Sequence, residues 1–132
     1  MRRKPEKELF EEIYQTFLCV YHHQLTRQQA ANQLFTTYDK YKKNTYLRYL
    51  DSFLHMMDGT QFASVVPIDL SAFFIQRIQQ DFGTKALEKA LLAEKQHIQY
   101  YYNATGTRQS GLCDTLQKIS LQFSIPMSFS PQ

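Results

Sequence analysis

Cysteine and histidine residues that lie close together are the first candidates for chemistry, because their side chains bind zinc. Cys19, His22 and His23 fall within five residues, and Cys19 and His23 stand one helical turn apart. No Cys-x2-Cys spacing is present to complete such a site. We therefore predict no metal site. The remaining residues of these types are isolated in sequence, and they are His55, His97 and Cys113.

Glu94 and His97 match half of the di-iron motif of helical bundles. That site requires a second such pair, which the sequence lacks, so we interpret this segment as an exposed polar face of a helix. A nucleophile such as Cys113 or a serine would need a base and an orienting acid, and none of the four histidines clusters with one in sequence, although folding could bring them together. There is no Gly-rich phosphate loop. The sequence therefore predicts a protein that is not an enzyme, without catalytic residues and without a cofactor.

Positive charge is concentrated in one part of the chain. The protein has a net charge of +3 over 132 residues. Residues 21–50 carry five basic side chains and one acidic side chain, a net +4, which leaves −1 for the rest. A local excess of this kind is typical of a surface that binds phosphate groups. The basic residues are Arg27, Lys40, Lys42, Lys43 and Arg48, and the acid is Asp39.

The segment LTRQQAANQLFTTYDKYKKNTYLRYL, residues 25–50, has some features of a helix-turn-helix DNA-binding unit. Thr26 and Gln29 predict a capping box at the start of a helix that runs to about Thr37. The tight form of the motif needs a glycine in its turn and apolar anchors on the next helix. No glycine is present, and Lys40 and Lys43 occupy the anchor positions. The tight form is therefore excluded.

A longer turn would place apolar residues at the anchor positions of the second helix. If TTYDKYKKN is an extended connector, Asn44 caps a strongly amphipathic helix over residues 45–57. The sequence then predicts a long-turn helix-turn-helix-like unit over residues 26–57. Its apolar anchors would be Tyr46 or Leu47 and, one turn later, Tyr49 or Leu50.

The polar side of this unit is the predicted nucleic-acid-binding surface. Lysine contacts phosphates, whereas asparagine and arginine also read adenine and guanine edges. The alternative is an ordinary solvated helix face, and Asp51 favours it because phosphates repel a carboxylate. The predicted contact residues are Arg27, Lys40, Lys42, Lys43, Asn44, Arg48 and Ser52.

Three consecutive tyrosines in QYYYN, residues 99–103, predict at least one exposed ring, because they cannot all face one core from a helix. Exposed tyrosine is typical of protein interfaces or of surfaces that stack on unpaired bases, and we assign an interface role to Tyr100 and Tyr102. The alternative is a helix end whose rings cover the core while the phenol tips reach water.

The elements that position these residues are helices. Gly and Pro number only 4 each, apolar residues recur at helical spacing, and 132 residues suit one domain. We predict an all-α fold, a single compact domain over residues 1–132, with Pro5 in the first turn and Thr84 as a later helix cap. The predicted helices cover residues 5–23, 27–37 after the Thr26 cap, 45–57, a segment from Pro67 or Asp69 to Phe82, and 85–102. A sixth helix carries Leu112, Leu116, Ile119 and Phe123, before an extended tail over about 124–132.

These features predict a small non-enzymatic nucleic-acid-binding or regulatory protein, with DNA favoured over RNA. The alternative is a helical protein-protein interaction module, such as an inhibitor, immunity or assembly factor, that covers the surface of a partner protein. A homodimer is left open. No stretch approaches the length of a membrane span, and FLCVY is too short for the core of a signal peptide. We therefore expect no membrane partner and a cytoplasmic location.

Overall fold

The computed structural model describes the backbone of residues 6–132 and the side chains from Glu8 onward. Within this range every regular element is an α-helix and there are six of them, which confirms the all-α prediction. The predicted helix start at Pro5 lies outside the described residues. The helices are α1 (Glu6–Tyr21), α2 (Arg27–Thr37), α3 (Lys43–Asp58), α4 (Ile68–Phe82), α5 (Thr84–Thr105) and α6 (Ser110–Gln122).

The chain divides into two compact units. The first ends at Leu54 and the second comprises His55–Gln132, so the division falls inside α3. The single-domain organisation over residues 1–132 stays a prediction. Among the described helices none combines the length and apolar character that crossing a membrane requires.

The core of the first unit follows from helical periodicity. Residues three or four positions apart share one face of a helix, and on each of the three helices this face is buried. The ring of Phe53 has its centroid 5.8 Å from that of Tyr14 and 5.8 Å from that of Phe17. The most deeply buried side chains are Ile13, Tyr14, Phe17, Ala30, Ala31, Leu34, Tyr46, Leu50 and Phe53.

Helix α1 ends two residues earlier than predicted, at Tyr21. His23 adopts a left-handed backbone conformation with φ of 62°. The amide of His23 donates to the Val20 carbonyl, and that of Gln24 donates to the Cys19 carbonyl. This is the Schellman pattern of helix termination, which normally has glycine at the left-handed position. A histidine there is why the sequence did not reveal the end.

The start of α2 agrees with prediction, whereas the start of α3 does not. The Thr26 hydroxyl accepts from the Gln29 amide, and the Gln29 side chain accepts from the Thr26 amide, which confirms the capping box. Helix α3 begins at Lys43, and the amide of Tyr46 donates to the Lys42 carbonyl. Asn44 therefore lies in the first turn, and its predicted role as a cap is wrong.

In the second unit α4 and α5 meet at Gly83, whose φ of 92° is accessible to glycine and strained for other residues. Gly83 is the N-cap of α5, so Thr84 is its first helical residue and the predicted cap is wrong. The helix continues to Thr105, beyond the predicted break at Asn103, and ends before Gly106 in the left-handed region. The core consists mainly of Leu70, Phe74, Ile75, Ile78, Leu87, Ala90, Leu91, Ile98, Leu112 and Leu116.

No helix follows Gln122. The remaining residues lie against α5 and α6. The side-chain amide of Gln99 donates to the Gln132 carbonyl at 2.9 Å, and its oxygen accepts from the Gln132 amide at 2.8 Å. Phe129 is buried. This tail is therefore held by both hydrogen bonds and apolar burial.

Candidate nucleic-acid interface

The connection between α2 and α3 is shorter than predicted and well anchored. It comprises residues 38–42, because Thr36 and Thr37 are still part of α2. The hydroxyl of the buried Tyr46 donates to the carbonyl of Tyr38 at 2.6 Å. The predicted anchors Tyr46 and Leu50 are both fully buried. Helix α3 is thus fixed to the turn by one buried hydrogen bond and to the core by its apolar face.

Aromatic rings surround the turn. The Tyr41 ring lies edge-on to Tyr46, with centroids 5.6 Å apart, and edge-on to Tyr49, with centroids 5.2 Å apart. Edge-to-face pairs of this kind stabilise a protein beyond the area that they bury. Burial also raises the pKa of Tyr46, so its hydroxyl keeps its proton as a hydrogen-bond donor.

Five of the predicted contact residues are exposed and lie close together in sequence around this turn. We call them the basic face, and they are Lys40, Lys42, Lys43, Asn44 and Arg48. The ammonium of Lys40 lies 5.6 Å from the centre of the Tyr41 ring, and that of Lys43 lies 5.6 Å from the centre of the Phe35 ring. Ring contacts of this type restrain lysine side chains while their charge stays in water.

Arg27 on α2 is paired with a carboxylate on α3. Its guanidinium donates to Asp51 at 2.6 Å, and both side chains are 48% exposed. This pair joins α2 to α3. It also offsets the negative charge of Asp51, the residue that counted against phosphate binding.

Ser52 does not belong to the exposed surface. It is buried, with a relative exposure of 1%, so its hydroxyl is not presented to a ligand and its predicted contact role is wrong. On the helical wheel Ser52 lies at the border between the polar and apolar sides of α3. A side chain this small is covered by its neighbours at such a position.

The basic face has an acidic neighbour on one side. The pKa of Tyr38 is raised by partial burial and by the negative charges of Glu12 and Glu8. These carboxylates of α1 are therefore close enough to the turn to influence it. Their negative charge opposes the approach of a polyanion to Tyr38.

The two tyrosines that were predicted to form an interface occupy different environments on α5. Tyr100 is 39% exposed, which fulfils the expectation of at least one exposed ring. Tyr102 is half-buried, with the guanidinium of Arg108 5.4 Å from its ring centre. Two turns before Tyr100, the apolar side chain of Leu92 is 41% exposed.

Glu94 and His97 are buried, at 0% and 1% exposure, so the interpretation as an exposed polar face is wrong. The Ser71 hydroxyl donates to Oε1 of Glu94 at 3.3 Å, and Oε2 has no hydrogen-bond partner. Burial raises the pKa of Glu94 to about 8, while the Ser71 hydrogen bond opposes the shift. The spacing after Leu87 and Ala90 already places Glu94 on the apolar side of α5, and this is the signal that sequence reasoning missed.

His97 makes a buried connection between three segments. Its Nδ1 lies 2.8 Å from the Phe62 carbonyl, and its ring stacks on the Phe62 ring with centroids 4.4 Å apart. Since a carbonyl only accepts, Nδ1 carries the proton and Nε2 accepts from the Gln109 amide at 3.4 Å. Burial lowers the pKa of His97. The residue is therefore neutral and structural.

The described residues contain no group of three or more His, Cys, Asp or Glu side chains that could hold a metal ion. Cys19 and Cys113 are free thiols and half-buried. The Cys113 thiol donates to the Phe129 carbonyl, with Sγ and O 3.4 Å apart, and burial raises its pKa. This cysteine contributes to packing of the tail.

Helical architecture and an exposed basic face thus define this chain as an all-α protein whose candidate site is a surface. No known protein family, curated protein or solved structure matches it.

Proposed function

We propose that the first unit binds nucleic acid through the basic face. The observation that supports this most directly is the placement of exposed cations around the start of α3, where the first turn contains no acidic residue. The partial positive charge at a helix N-terminus disfavours cations there by about 0.3–1 kcal/mol each. The helix dipole therefore disfavours the charges of Lys42 and Lys43 at these positions, and a bound polyanion would offset this cost.

The neighbouring contacts suit such a role. Asp51 is paired with Arg27, and the buried Tyr46 holds the turn in one conformation. A rigid arrangement of cations loses little conformational entropy when a ligand binds. Binding would be dominated by phosphate contacts and would therefore weaken steeply with salt, by a slope of about 0.9 for each phosphate neutralised on duplex DNA.

The test is a titration of random-sequence duplex and single-stranded DNA and RNA over a salt series. The variant carries Lys43→Glu and Arg48→Glu, both at exposed positions. We expect binding at low salt for the natural protein and its loss in the variant. A matched control carries Lys85→Glu and Lys118→Glu, which make the same change in net charge at exposed positions of the second unit. The proposal fails if no nucleic acid binds at low salt, or if both variants weaken binding equally.

Exposed apolar side chains on α5 favour a second candidate, a helical protein-protein interaction module. Leu92 and Tyr100 are each about two-fifths exposed and lie two turns apart on the same side of the helix. Leucine and tyrosine at this exposure favour a protein partner over a polyanion. We infer that this side of α5 would contact another protein or a second copy of this chain.

A further inference from the structure

The exposed stripe of α3 restricts which nucleic acid suits the proposed function. Asn44, Arg48 and Asp51 follow at intervals of four and three residues and therefore share one side of the helix. The opposite side contains Tyr46, Leu50 and Phe53, which are buried in the first unit. The stripe is thus directed away from the core by the same packing that fixes the helix.

The rings near this stripe do not suit unpaired bases. Proteins that bind single strands without sequence preference rely on aromatic side chains whose faces are open for stacking. Tyr46 is buried, and the Lys40 ammonium lies over the face of the half-buried Tyr41 ring, 5.6 Å from its centre. What the stripe does present is polar groups on a helical cylinder. The major groove of B-form DNA is about 12 Å wide and accepts a helix, whereas the deep, narrow major groove of A-form RNA does not.

The spacing of the stripe matches stacked base pairs. Asn44 and Arg48 are four residues apart, which is about 6 Å along the helix axis. Successive base pairs rise by about 3.4 Å. The two side chains would therefore meet base pairs roughly two steps apart. Asparagine forms a bidentate contact with adenine and arginine with guanine.

We propose that the exposed stripe of α3 reads duplex DNA in the major groove, with Asn44 contacting adenine, Arg48 contacting guanine, and Lys42 and Lys43 contacting phosphates. This inference depends on the proposed function, and it extends that function from charge-based binding to recognition of the DNA base sequence. The Arg27–Asp51 pair at the far end of the stripe reduces the repulsion between Asp51 and the nearby phosphates.

The test is selection of bound sequences from a duplex DNA library with a randomised centre, followed by affinity measurements on the selected duplex. We expect the natural protein to select a short motif that contains adenine and guanine about two positions apart. Asn44→Ala should lose the preference at one position and Arg48→Ala at the other. Each should weaken binding to the selected duplex by about tenfold to a hundredfold, and much less to random duplex.

The proposed phosphate contacts are tested by affinity for both duplexes and by its salt dependence. The variant with Lys42→Gln and Lys43→Gln should weaken selected and random duplexes alike, and it should reduce the salt slope by about two. The control with Lys85→Gln and Lys118→Gln, at exposed positions of the second unit, should change neither quantity.

Three outcomes would overturn the inference and leave the proposed function standing: tighter binding of single strands, tighter binding of duplex RNA, or duplex DNA binding without a selected motif. Unchanged selection by Asn44→Ala and Arg48→Ala would also overturn it. Absence of binding to every nucleic acid at low salt would instead remove the proposed function itself.

Discussion

The guanidinium of Arg27 lies 2.6 Å from the carboxylate of Asp51, and this ion pair joins α2 to α3 beside the basic face. The two residues are 24 positions apart in sequence, and each side chain is about half exposed. An exposed pair of this kind contributes only about 0–1 kcal/mol to stability. Its larger effect is on charge, because it sets how much negative potential Asp51 adds to the surface.

Replacement of Asp51 tests this effect. We expect Asp51→Asn to tighten nucleic-acid binding severalfold at low salt, because it removes a repulsive charge and leaves Arg27 able to donate to phosphate. The melting temperature should change little. Affinity at fixed salt and thermal melting are the measurements, with the exposed Asp114→Asn in the second unit as the charge-matched control. Weaker binding by Asp51→Asn would mean that the pair positions α3 and does not merely neutralise a charge.

The buried hydroxyl of Tyr46 gives a prediction about stability. Tyr46→Phe removes the donor to the Tyr38 carbonyl and should cost about 1–2 kcal/mol, because a buried acceptor loses its partner while the ring is retained. Urea unfolding measures this cost. The same change at the exposed Tyr100 should stay within about 0.5 kcal/mol. Equal effects at the two positions would contradict the role of the hydrogen bond in holding the turn.

The pH dependence of stability should reveal the buried acid in the second unit. The pKa of Glu94 is raised from 4.5 to about 8, so the folded state holds a proton that the unfolded state has released between these values. Stability therefore falls as pH rises through this window, by up to about 1.4 kcal/mol per pH unit. His97 has the opposite sign, since its pKa is lowered from 6.5 and stability is lost as pH falls below that value. The loss due to Glu94 is unopposed from pH 6.5 to about 8.

Glu94→Gln keeps the shape of the side chain and removes the titration. We expect its urea midpoint to vary less between pH 6.5 and 8 than that of the natural protein, and to be higher at pH 8. The exposed Glu88→Gln on the same helix serves as control and should follow the natural profile. Parallel profiles for the natural protein and Glu94→Gln would show that Glu94 is ionised in the folded state.

The helical composition and the cap at Thr26 were predictable from the sequence, whereas the caps predicted at Asn44 and Thr84 were wrong. The capping box of Thr26 and Gln29 depends on two residue types at a fixed spacing, so the sequence alone contains it. The end of α1 depends on His23 in a left-handed conformation. Histidine does not demand that geometry, so its residue type did not indicate where the helix ends.

The candidate site also contains features that the sequence predicted and features that it did not. The exposure of Lys42, Lys43 and Arg48 follows from charge and helical phase, and these side chains were found from sequence. The burial of Ser52 and Glu94 was not predicted from sequence. Ser52 lies at the border of the apolar side of α3 and Glu94 lies among apolar residues of α5, so neighbouring side chains decide whether water reaches them. A polar residue type is a poor guide to exposure at such positions.

The left-handed conformation of His23 gives a further test. Glycine adopts this conformation without a steric penalty, whereas other residues pay about 1–2 kcal/mol. We expect His23→Gly to raise the free energy of unfolding by about 1 kcal/mol, less the entropy that glycine adds to the unfolded chain. His22→Gly, at a neighbouring residue without positive φ, should lower it. A destabilised His23→Gly would show that the histidine side chain makes contacts that outweigh the strain.

The last prediction separates the interaction candidate from the nucleic-acid candidate. The variant carries Leu92→Ala and Tyr100→Ala, which trim two exposed side chains of α5 and should leave the melting temperature nearly unchanged. Tyr102 is retained, because it is half-buried beside Arg108 and its truncation would also disturb packing.

If this side of α5 contacts a second copy of the chain, sedimentation velocity of the natural protein should show association that increases with concentration. The variant should remain monomeric. The Lys43→Glu and Arg48→Glu variant should associate like the natural protein, because its changes lie on the basic face of the first unit. A natural protein that stays monomeric at all concentrations would exclude self-association through α5. Loss of association in the charge-reversed variant alone would assign the contact to the basic face, and would then count against a nucleic acid as its occupant.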